Sequence, residues 1–378
     1  MELTEMNKNT EKWLNEGKSL QNLRKYEEAM GCFDKAIEID AKHSEAWMWK
    51  GYALRDLDRY DEAIECFDKA IENDLHGSFM ATLWYSKGLI YHILERHEEA
   101  LGCFDKAAGI EPKHAQIWLW KGQTLNILRK YQEALRCFDR VIDFSPENCR
   151  AWLWKGYSLL SLERYRGAIK CFDKVIGIEP GNTEAWLMKG SALHGLKSYD
   201  EELFCYDRAA ESDPENADVW NSRGLALNIL ERYEEATECF DRAINGEPEN
   251  GNGWYGKGLS LHCLGRYGEA IICYDEAIGR YPQHVDALYS KGLALHGLDK
   301  YDEAIRCYDK VIEIDPVNIY VWYGKGTILH SLQKYDEAIK CYDRAIEIYP
   351  GHIEAWYGRG FALRRSQELK NKMSLCSQ

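Results

Sequence analysis

The sequence predicts an all-α protein built as a solenoid of stacked, antiparallel helical hairpins. Three observations carry this prediction: a WxxKG-like run that recurs along the chain, a nearly constant interval of 34 residues between its glycines, and a proline at one fixed place in most intervals. Such an interval holds two helices and their connections but is too short to bury a core alone. We therefore expect stability to come from contacts between neighbouring copies.

The glycines of this run define the repeat, and positions are counted from each glycine as zero. The interval is 34 residues everywhere except between Gly51 and Gly88, where it is 37. The eleven glycines are Gly17, Gly51, Gly88, Gly122, Gly156, Gly190, Gly224, Gly258, Gly292, Gly326 and Gly360. They mark ten complete repeats and the start of an eleventh.

Each repeat begins with a predicted helix, helix A, that carries the glycine. Tryptophan occupies position −4 in ten of the eleven copies, and leucine occupies position +3 in all but one. Residues three and four apart share one side of an α-helix. Positions −4, 0 and +3 are therefore expected to form the buried stripe of helix A.

A second helix, helix B, follows a short connection. In the second repeat its apolar stripe is Ala63, Ile64, Phe67 and Ala70, and position +16 is Phe or Tyr in every complete repeat. All eight prolines lie at +24, where they end the helix because proline cannot donate a backbone hydrogen bond. Glycine in a helix costs about 1 kcal/mol relative to alanine, so its recurrence indicates close packing of helix B.

This spacing of Trp, Gly, Tyr, Ala, an aromatic residue, Ala and Pro resembles the tetratricopeptide repeat. The resemblance covers residues 10 to about 366 and implies a right-handed superhelix whose A helices line a concave groove. The expected organisation is a lead at 1–9, ten repeats at 10–355 with a three-residue insertion near 75–80, a capping helix at 356–367 and a polar tail at 368–378. One departure is Lys or Arg at −1, where the family usually has an apolar residue.

Composition restricts the partners. The net charge of −14 argues against nucleic acid and against an anionic membrane, because both need a basic surface on the protein. No apolar run approaches the roughly 18 residues that would span a bilayer, and the start of the sequence lacks the apolar core of a signal peptide. These features predict a cytoplasmic protein.

Two recurring polar positions are predicted to pair. Asp occupies +17 in all ten complete repeats, and Lys or Arg occupies −1 in ten of eleven copies. We expect a ladder of ion pairs between them. The alternative is that each long side chain lies along the core with its charge in water.

Cysteine recurs as well, since ten of the thirteen lie at +15. Equivalent helices in neighbouring repeats should be about 8–10 Å apart, which is too far for a disulfide. We therefore expect free, partly buried thiols and a reducing compartment. Cys149, Cys263 and Cys376 lie outside this ladder and are the better candidates for reactive thiols.

No constellation of catalytic residues stands out, so we predict that the protein is not an enzyme and has no cofactor or metal. The segment GNGWYGKG at 251–258 imitates two phosphate-binding motifs, but the preceding strand that both motifs need is missing. His92, His194, His262, His296 and His330 share position +4. Their expected spacing is too large for one shared metal ion.

The variable face of helix A is the candidate partner-binding groove. Aromatic residues there are typical of binding hot spots, with the alternative that the tryptophans at −2 pack between adjacent helices. The candidate residues are Trp49, Tyr52, Arg55, Tyr85, His92, Trp120, Trp154, Tyr157, His194, Tyr255, His262, Tyr289, His296, Tyr323, His330 and Tyr357. Carboxylates at −6 favour a neutral or basic protein or peptide as the partner.

The leading hypothesis is therefore a scaffold that binds a protein segment in this groove. A metal- or redox-responsive sensor that uses the Cys and His rows is one alternative, and a self-associating structural protein is another. Glu202 replaces the packing alanine at +12. We expect it to loosen the sixth repeat or to force a tilt that lets its carboxylate reach water.

Overall fold

The computed structural model describes residues 2–74 and 77–376, with side chains for 6–74 and 77–372, and all regular structure within them is helical. It divides into two compact units, an N-terminal unit at 1–180 and a C-terminal unit at 181–378. The described helices of the N-terminal unit are α1 (Glu2–Asn22), α2 (Tyr26–Ile39), α3 (Ser44–Asp56), α4 (Tyr60–Asn73), α5 (Met80–Ile93), α6 (His97–Ile110), α7 (Ala115–Ile127), α8 (Tyr131–Phe144), α9 (Cys149–Ser161) and α10 (Tyr165–Ile178).

The C-terminal unit has the same construction. Its described helices are α11 (Thr183–Gly195), α12 (Tyr199–Ser212), α13 (Ala217–Ile229), α14 (Tyr233–Gly246), α15 (Gly251–Cys263), α16 (Tyr267–Arg280), α17 (Val285–Gly297), α18 (Tyr301–Ile314), α19 (Ile319–Ser331), α20 (Tyr335–Ile348) and α21 (Ile353–Cys376). Odd-numbered helices are the A helices and even-numbered helices are the B helices. The predicted all-α architecture of repeated hairpins is confirmed.

The repeat glycine is the point at which helices A and B of one hairpin come closest. A Cβ atom on Gly122 would lie 2.5 Å from Cε1 of Phe138, and one on Gly258 would lie 2.6 Å from Cε1 of Tyr274. Such distances are far below van der Waals contact. The expected packing reason for this glycine is thus confirmed, and the aromatic ring at +16 fills the space that the missing side chain leaves.

Most of the tryptophans at −4 lie at the edge of the core and not inside it, contrary to the sequence prediction; Trp186 and Trp220 are the buried ones. Trp118 is only half-buried, and its Nε1 donates a hydrogen bond to the carbonyl of Pro112 at 2.8 Å. The guanidinium of Arg140 lies 4.5 Å from its ring centroid. This tryptophan therefore holds the loop from the preceding repeat and carries a cation on its outer face, which uses both its N–H and its π-surface.

The turns of the repeat depend on backbone conformation and on side-chain caps. Asn148 Oδ1 accepts a hydrogen bond from the backbone N–H of Ala151 at 2.9 Å and so caps α9. The residue at +7 is left-handed in every complete repeat, for example Glu231 with φ of 59° and Gly265 with φ of 72°. This conformation ends helix A with a tight turn.

Within each unit the A helices line the inner face. Successive A helices touch each other, as α13 touches α15 and α15 touches α17, whereas no comparable contact joins successive B helices among the described residues. The expected insertion has its first residues outside the described part, at 75 and 76. Across it, the Asp74 carboxylate accepts hydrogen bonds from the N–H groups of Ser78 and Phe79, which fixes the entry to α5.

Both ends of the chain are more helical than the expected boundaries imply. Helix α1 begins at Glu2, within the segment assigned as a lead, and α21 continues to Cys376, past residue 367. The segment 361–376 contains neither proline nor glycine, so nothing in it stops a helix.

Gly122→Ala is predicted to destabilise the N-terminal unit by about 1–3 kcal/mol, because the new methyl group overlaps the Phe138 ring. Gly102→Ala is the matched control. Gly102 also lies in a helix, but a Cβ atom there would have no other atom within 4 Å, so the change should stabilise by about 0.5–1 kcal/mol. Urea unfolding followed by circular dichroism measures both. Equal effects of the two substitutions would show that the close approach does not matter.

Candidate functional site

All sixteen candidate groove residues lie on A helices. His194 and Tyr357 are exposed, and the other fourteen are partly buried. Each of the fourteen therefore keeps some surface for a ligand while the rest of the side chain is held by neighbours. This combination of anchorage and access is typical of residues in binding surfaces.

Large side chains alternate between two neighbouring positions on this face, a signal that sequence reasoning missed. Where −2 is Trp, −3 is Leu or Met; where −3 is Tyr, −2 is Ser or Gly. Trp49 at −2 stacks on Phe33 of the preceding repeat, with ring centroids 6.5 Å apart. A Cβ atom on Gly324 would lie 3.2 Å from the Tyr308 ring. The alternative of packing between helices thus holds for Trp49, and there is room for one large side chain in each repeat.

The histidines at +4 pack on the aromatic residue at +9. His262 and Tyr267 make an edge contact with centroids 5.1 Å apart, and His330 and Tyr335 one of 5.2 Å. Burial lowers the pKa of His92 and His262, so these two imidazoles are neutral at pH 7. Across the described residues, no three His, Cys, Asp or Glu side chains are placed so that they could hold a metal ion.

An open cleft of about 410 Å³ lies at the end of this face, between α19 and α21. Tyr323, His330, Tyr357 and Phe361 line it, and Glu354 adds a carboxylate. Tyr357 is 67% exposed and Phe361 is 58% exposed. The cleft is large enough to accept an apolar or aromatic side chain of a ligand.

The carboxylates at −6 differ between repeats. Glu45 is engaged, since Lys18 Nζ lies 2.5 Å from its Oε1. Asp218 and Asp286 are exposed and make no ion pair with any described residue. Free negative charge therefore borders the inner face in the C-terminal unit.

The structure contradicts one of the two expectations for Glu202, namely that a tilt brings its carboxylate to water. Its side chain is 2% exposed, so the carboxylate does not reach water, and α12 is continuous through it. Oε1 lies 3.1 Å from His194 Nδ1, and Oε2 has no hydrogen-bond partner within the described structure. Burial is the main cause of a raised pKa of Glu202, and the nearby His194 opposes it. Helix α12 does not need to tilt, because the imidazole of His194 at +4 lies within hydrogen-bond distance of the buried carboxyl group.

The predicted ion-pair ladder is confirmed, and it joins neighbouring repeats. The cation at −1 contacts the Asp at +17 of the repeat before it. The pairs are Lys50–Asp34, Lys121–Asp105, Lys155–Asp139, Arg223–Asp207, Lys257–Asp241, Lys291–Asp275 and Lys325–Asp309 at 2.5–2.7 Å, together with Lys87–Asp68 and Arg359–Asp343. The carboxylates are about half exposed, so each pair contributes only about 0–1 kcal/mol.

The cysteine ladder consists of free thiols, as predicted. All ten cysteines at +15 are buried, and burial raises the pKa of Cys66 and Cys137 to about 11. Cys149 is a wrong candidate for a reactive thiol: burial, aided by the nearby Glu179 carboxylate, raises its pKa to about 11. Cys263 is exposed, and the side chain of Cys376 lies outside the described residues.

The segment 251–258, whose sequence is similar to that of a phosphate-binding loop, forms the start of α15. A Cβ atom on Gly256 would lie 2.3 Å from Phe240 Cε1, and Gly258 faces Tyr274. Close packing between helices therefore explains why both positions are glycine.

Family models match most of the chain. One tetratricopeptide repeat model matches residues 14–77, 55–115, 94–148 and 230–285; a second matches 285–318 and 319–352, and a third matches 205–238. The chain belongs to the tetratricopeptide repeat family. A model of subunit 3 of the anaphase-promoting complex, cyclosome, also matches residues 129–209. No curated protein matches this tetratricopeptide repeat protein.

Solved structures share its fold. A tetratricopeptide repeat protein from Parabacteroides merdae is 17% identical and covers 67% of this chain and 98% of its own, with a TM-score of 0.55. The APC/C hetero-tetramer Cut9-Hcn1 is 14% identical over 95% of this chain and 84% of that chain, with a TM-score of 0.52. YrrB, described as a TPR protein with an unusual peptide-binding site, is 24% identical over 51% and 99%, with a TM-score of 0.45.

Within the described residues, no helix combines the length and the apolar character that crossing a bilayer would need.

Glu202→Ala is predicted to stabilise the C-terminal unit at pH 7, by about 1–3 kcal/mol, because it removes a buried carboxylate and restores the alanine of the other repeats. Because the pKa of Glu202 is raised in the folded protein, the folded state binds more protons than the unfolded state at pH values above 4.5, the ordinary pKa of a glutamate. The stability of the natural sequence therefore falls as pH rises through this range, and the gain from alanine shrinks at pH 4.

Thermal unfolding at pH 4 and pH 7 measures this effect. Glu201→Ala is the control, since Glu201 is the exposed neighbour on the same helix and should change little. A Glu202→Ala protein that is less stable than the natural one at pH 7 would show that the His194 contact outweighs the burial.

The exposed Cys263 is predicted to react faster with thiol reagents than the buried cysteines at +15. A thiol with a pKa of about 11 has roughly one thiolate in ten thousand at pH 7, and the thiolate is the reactive species. Iodoacetamide treatment of the native protein, followed by mass spectrometry of peptides, should label Cys263 before any cysteine at +15. Rapid labelling of Cys66 or Cys137 in the folded protein would contradict the burial.

Proposed function

We propose that the protein is a non-enzymatic scaffold that holds an extended or helical protein segment against the inner face formed by its A helices. Family membership supports the coarser part of this proposal, because stacked helical repeats present extended binding surfaces. In each unit, a row of half-buried aromatic side chains supports the finer part; these residues lie on the A helices from α3 to α9 and from α15 to α19. This row is the observation on which the proposal rests.

The partner is proposed to be neutral or basic. Asp218 and Asp286 offer exposed, unpaired carboxylates beside the aromatic row, and the chain carries a net charge of −14. Opposite charges speed the encounter and disfavour acidic competitors. The same net charge disfavours nucleic acid.

We propose a reducing compartment such as the cytoplasm, because every described cysteine is a free thiol. The redox or metal sensor is less well supported. Cys66 and Cys137 of the ladder are buried and protonated at pH 7. His262, whose pKa is lowered by burial, packs against Tyr267.

The triple variant Tyr289→Ala, His296→Ala and Tyr323→Ala is predicted to weaken binding of selected peptides about tenfold or more, since aromatic anchors dominate such interfaces. Peptides would first be selected by display against the natural protein, and their affinities would then be measured by fluorescence anisotropy. We expect the selected peptides to carry a neutral or positive net charge.

Ile272→Ala is the matched control, because Ile272 is 61% exposed but lies on a B helix, α16. It should leave affinity unchanged. Selected peptides that respond to Ile272→Ala and not to the triple variant would rule out the proposed face, and acidic selected peptides would contradict the proposed charge of the partner.

A further inference from the structure

The outer surface of the fifth repeat carries a cleft that the proposed groove does not use. It lies among α8, α9 and α10 and has a volume of about 470 Å³, within the range of small-ligand sites. Its walls include Trp152 and Leu159. Its charged residues are Lys155, Arg164, Lys170 and Lys174 against the single carboxylate of Asp139.

Most of this positive charge is not neutralised. Asp139 is engaged by Lys155, whose Nζ lies 2.6 Å from its Oδ1. Arg164, Lys170 and Lys174 make no ion pair with any described residue. Three cations therefore share one cleft without a protein counter-charge, in a chain whose net charge is −14.

The excess charge comes from one departure in the repeat. Position +11 is glutamate in the nine other complete repeats and glycine only at Gly167. In five of those repeats this glutamate binds the cation at +8, as Glu235 binds Arg232 and Glu269 binds Arg266, both at 2.6 Å. Gly167 leaves Arg164 without that partner. The missing side chain also opens the cleft toward Leu159, the nearest residue to a Cβ atom at Gly167.

Equivalent clefts in the C-terminal unit carry less excess positive charge. In the ninth repeat, Lys291, Arg306 and Lys310 face Asp275 and Glu303. In the seventh repeat, two arginines face three carboxylates. The fifth-repeat cleft, with four cations and one carboxylate, thus has a larger excess of positive charge than either of these two clefts.

We propose that this cleft binds a phosphate monoester. The guanidinium of Arg164 can form two parallel hydrogen bonds to phosphate oxygens, and the ammonium groups of Lys170 and Lys174 add point charges. Trp152 and Leu159 form a wall for the carbon part of the ester. The site holds one doubly charged group, which distinguishes it from a surface for a nucleic-acid backbone.

The test is calorimetric titration at low ionic strength with two probes, free phosphoserine and a peptide that contains phosphoserine. The peptide with unmodified serine is the reference. We expect binding of at least one phosphorylated probe, none of the serine peptide, and a loss of affinity as salt is added.

Gly167→Glu is the decisive variant, because it restores the residue of the other nine repeats and supplies Arg164 with its usual partner. It should weaken binding about tenfold or more while the thermal midpoint stays unchanged or rises, since glycine is removed from a helix. Lys170→Gln with Lys174→Gln should weaken binding to a similar extent. Lys340→Gln, at the equivalent position of Lys170 in the tenth repeat, should not.

Tighter binding of the peptide than of free phosphoserine would identify a phosphorylated protein segment as the source, and the reverse would identify a small phosphate ester. Failure of both probes to bind, or binding that Gly167→Glu leaves unchanged, would overturn the proposal. The groove variants at Tyr289, His296 and Tyr323 lie on a different face and do not enter this result.

Discussion

The contact between the glycine at position 0 and the aromatic ring at +16 is the constraint on which the hairpins depend. A Cβ atom on this glycine would approach the ring to 2.3–2.7 Å in all ten complete repeats, so only glycine allows helices A and B to pack at this distance. The inter-repeat contacts are made beside it. The cation at −1 pairs with the Asp of the preceding repeat, as Lys121 does with Asp105, and Trp118 at −4 binds the carbonyl of Pro112 in the connecting loop.

Much of this construction was predictable because the ten repeats of one chain can be compared with each other, position by position. Positions that do not vary, such as Asp at +17 and Cys at +15, serve the stack, and their ion pairs and burial followed from spacing alone. The role of Trp118 did not follow, because an indole has both an apolar ring and a polar N–H. Only the position of the Pro112 carbonyl shows that the N–H decides its orientation.

The sequence predicted which helix carries the candidate site residues, but it did not predict how much of each side chain is exposed. Helical periodicity placed Tyr289 and His296 on helix A, but their exposure depends on the rings that pack on them, Tyr308 and Tyr301. The sequence contains the alternation of large and small side chains between positions −2 and −3. Its cause is the aromatic ring at +16 of the preceding repeat, which packs against these positions. Glu202 was misjudged because its partner, His194, lies eight residues away, on the other helix of the hairpin.

Our proposal places the binding of a protein segment on the inner face of the A helices, whereas the recurring residues have a structural role. Photo-crosslinking from benzoylphenylalanine tests this assignment most directly, with the probe placed at Tyr323 on α19 or at Ile272 on α16. We predict that a bound peptide is captured from position 323 and not from position 272. Capture from position 272 alone would contradict the assignment of the two faces.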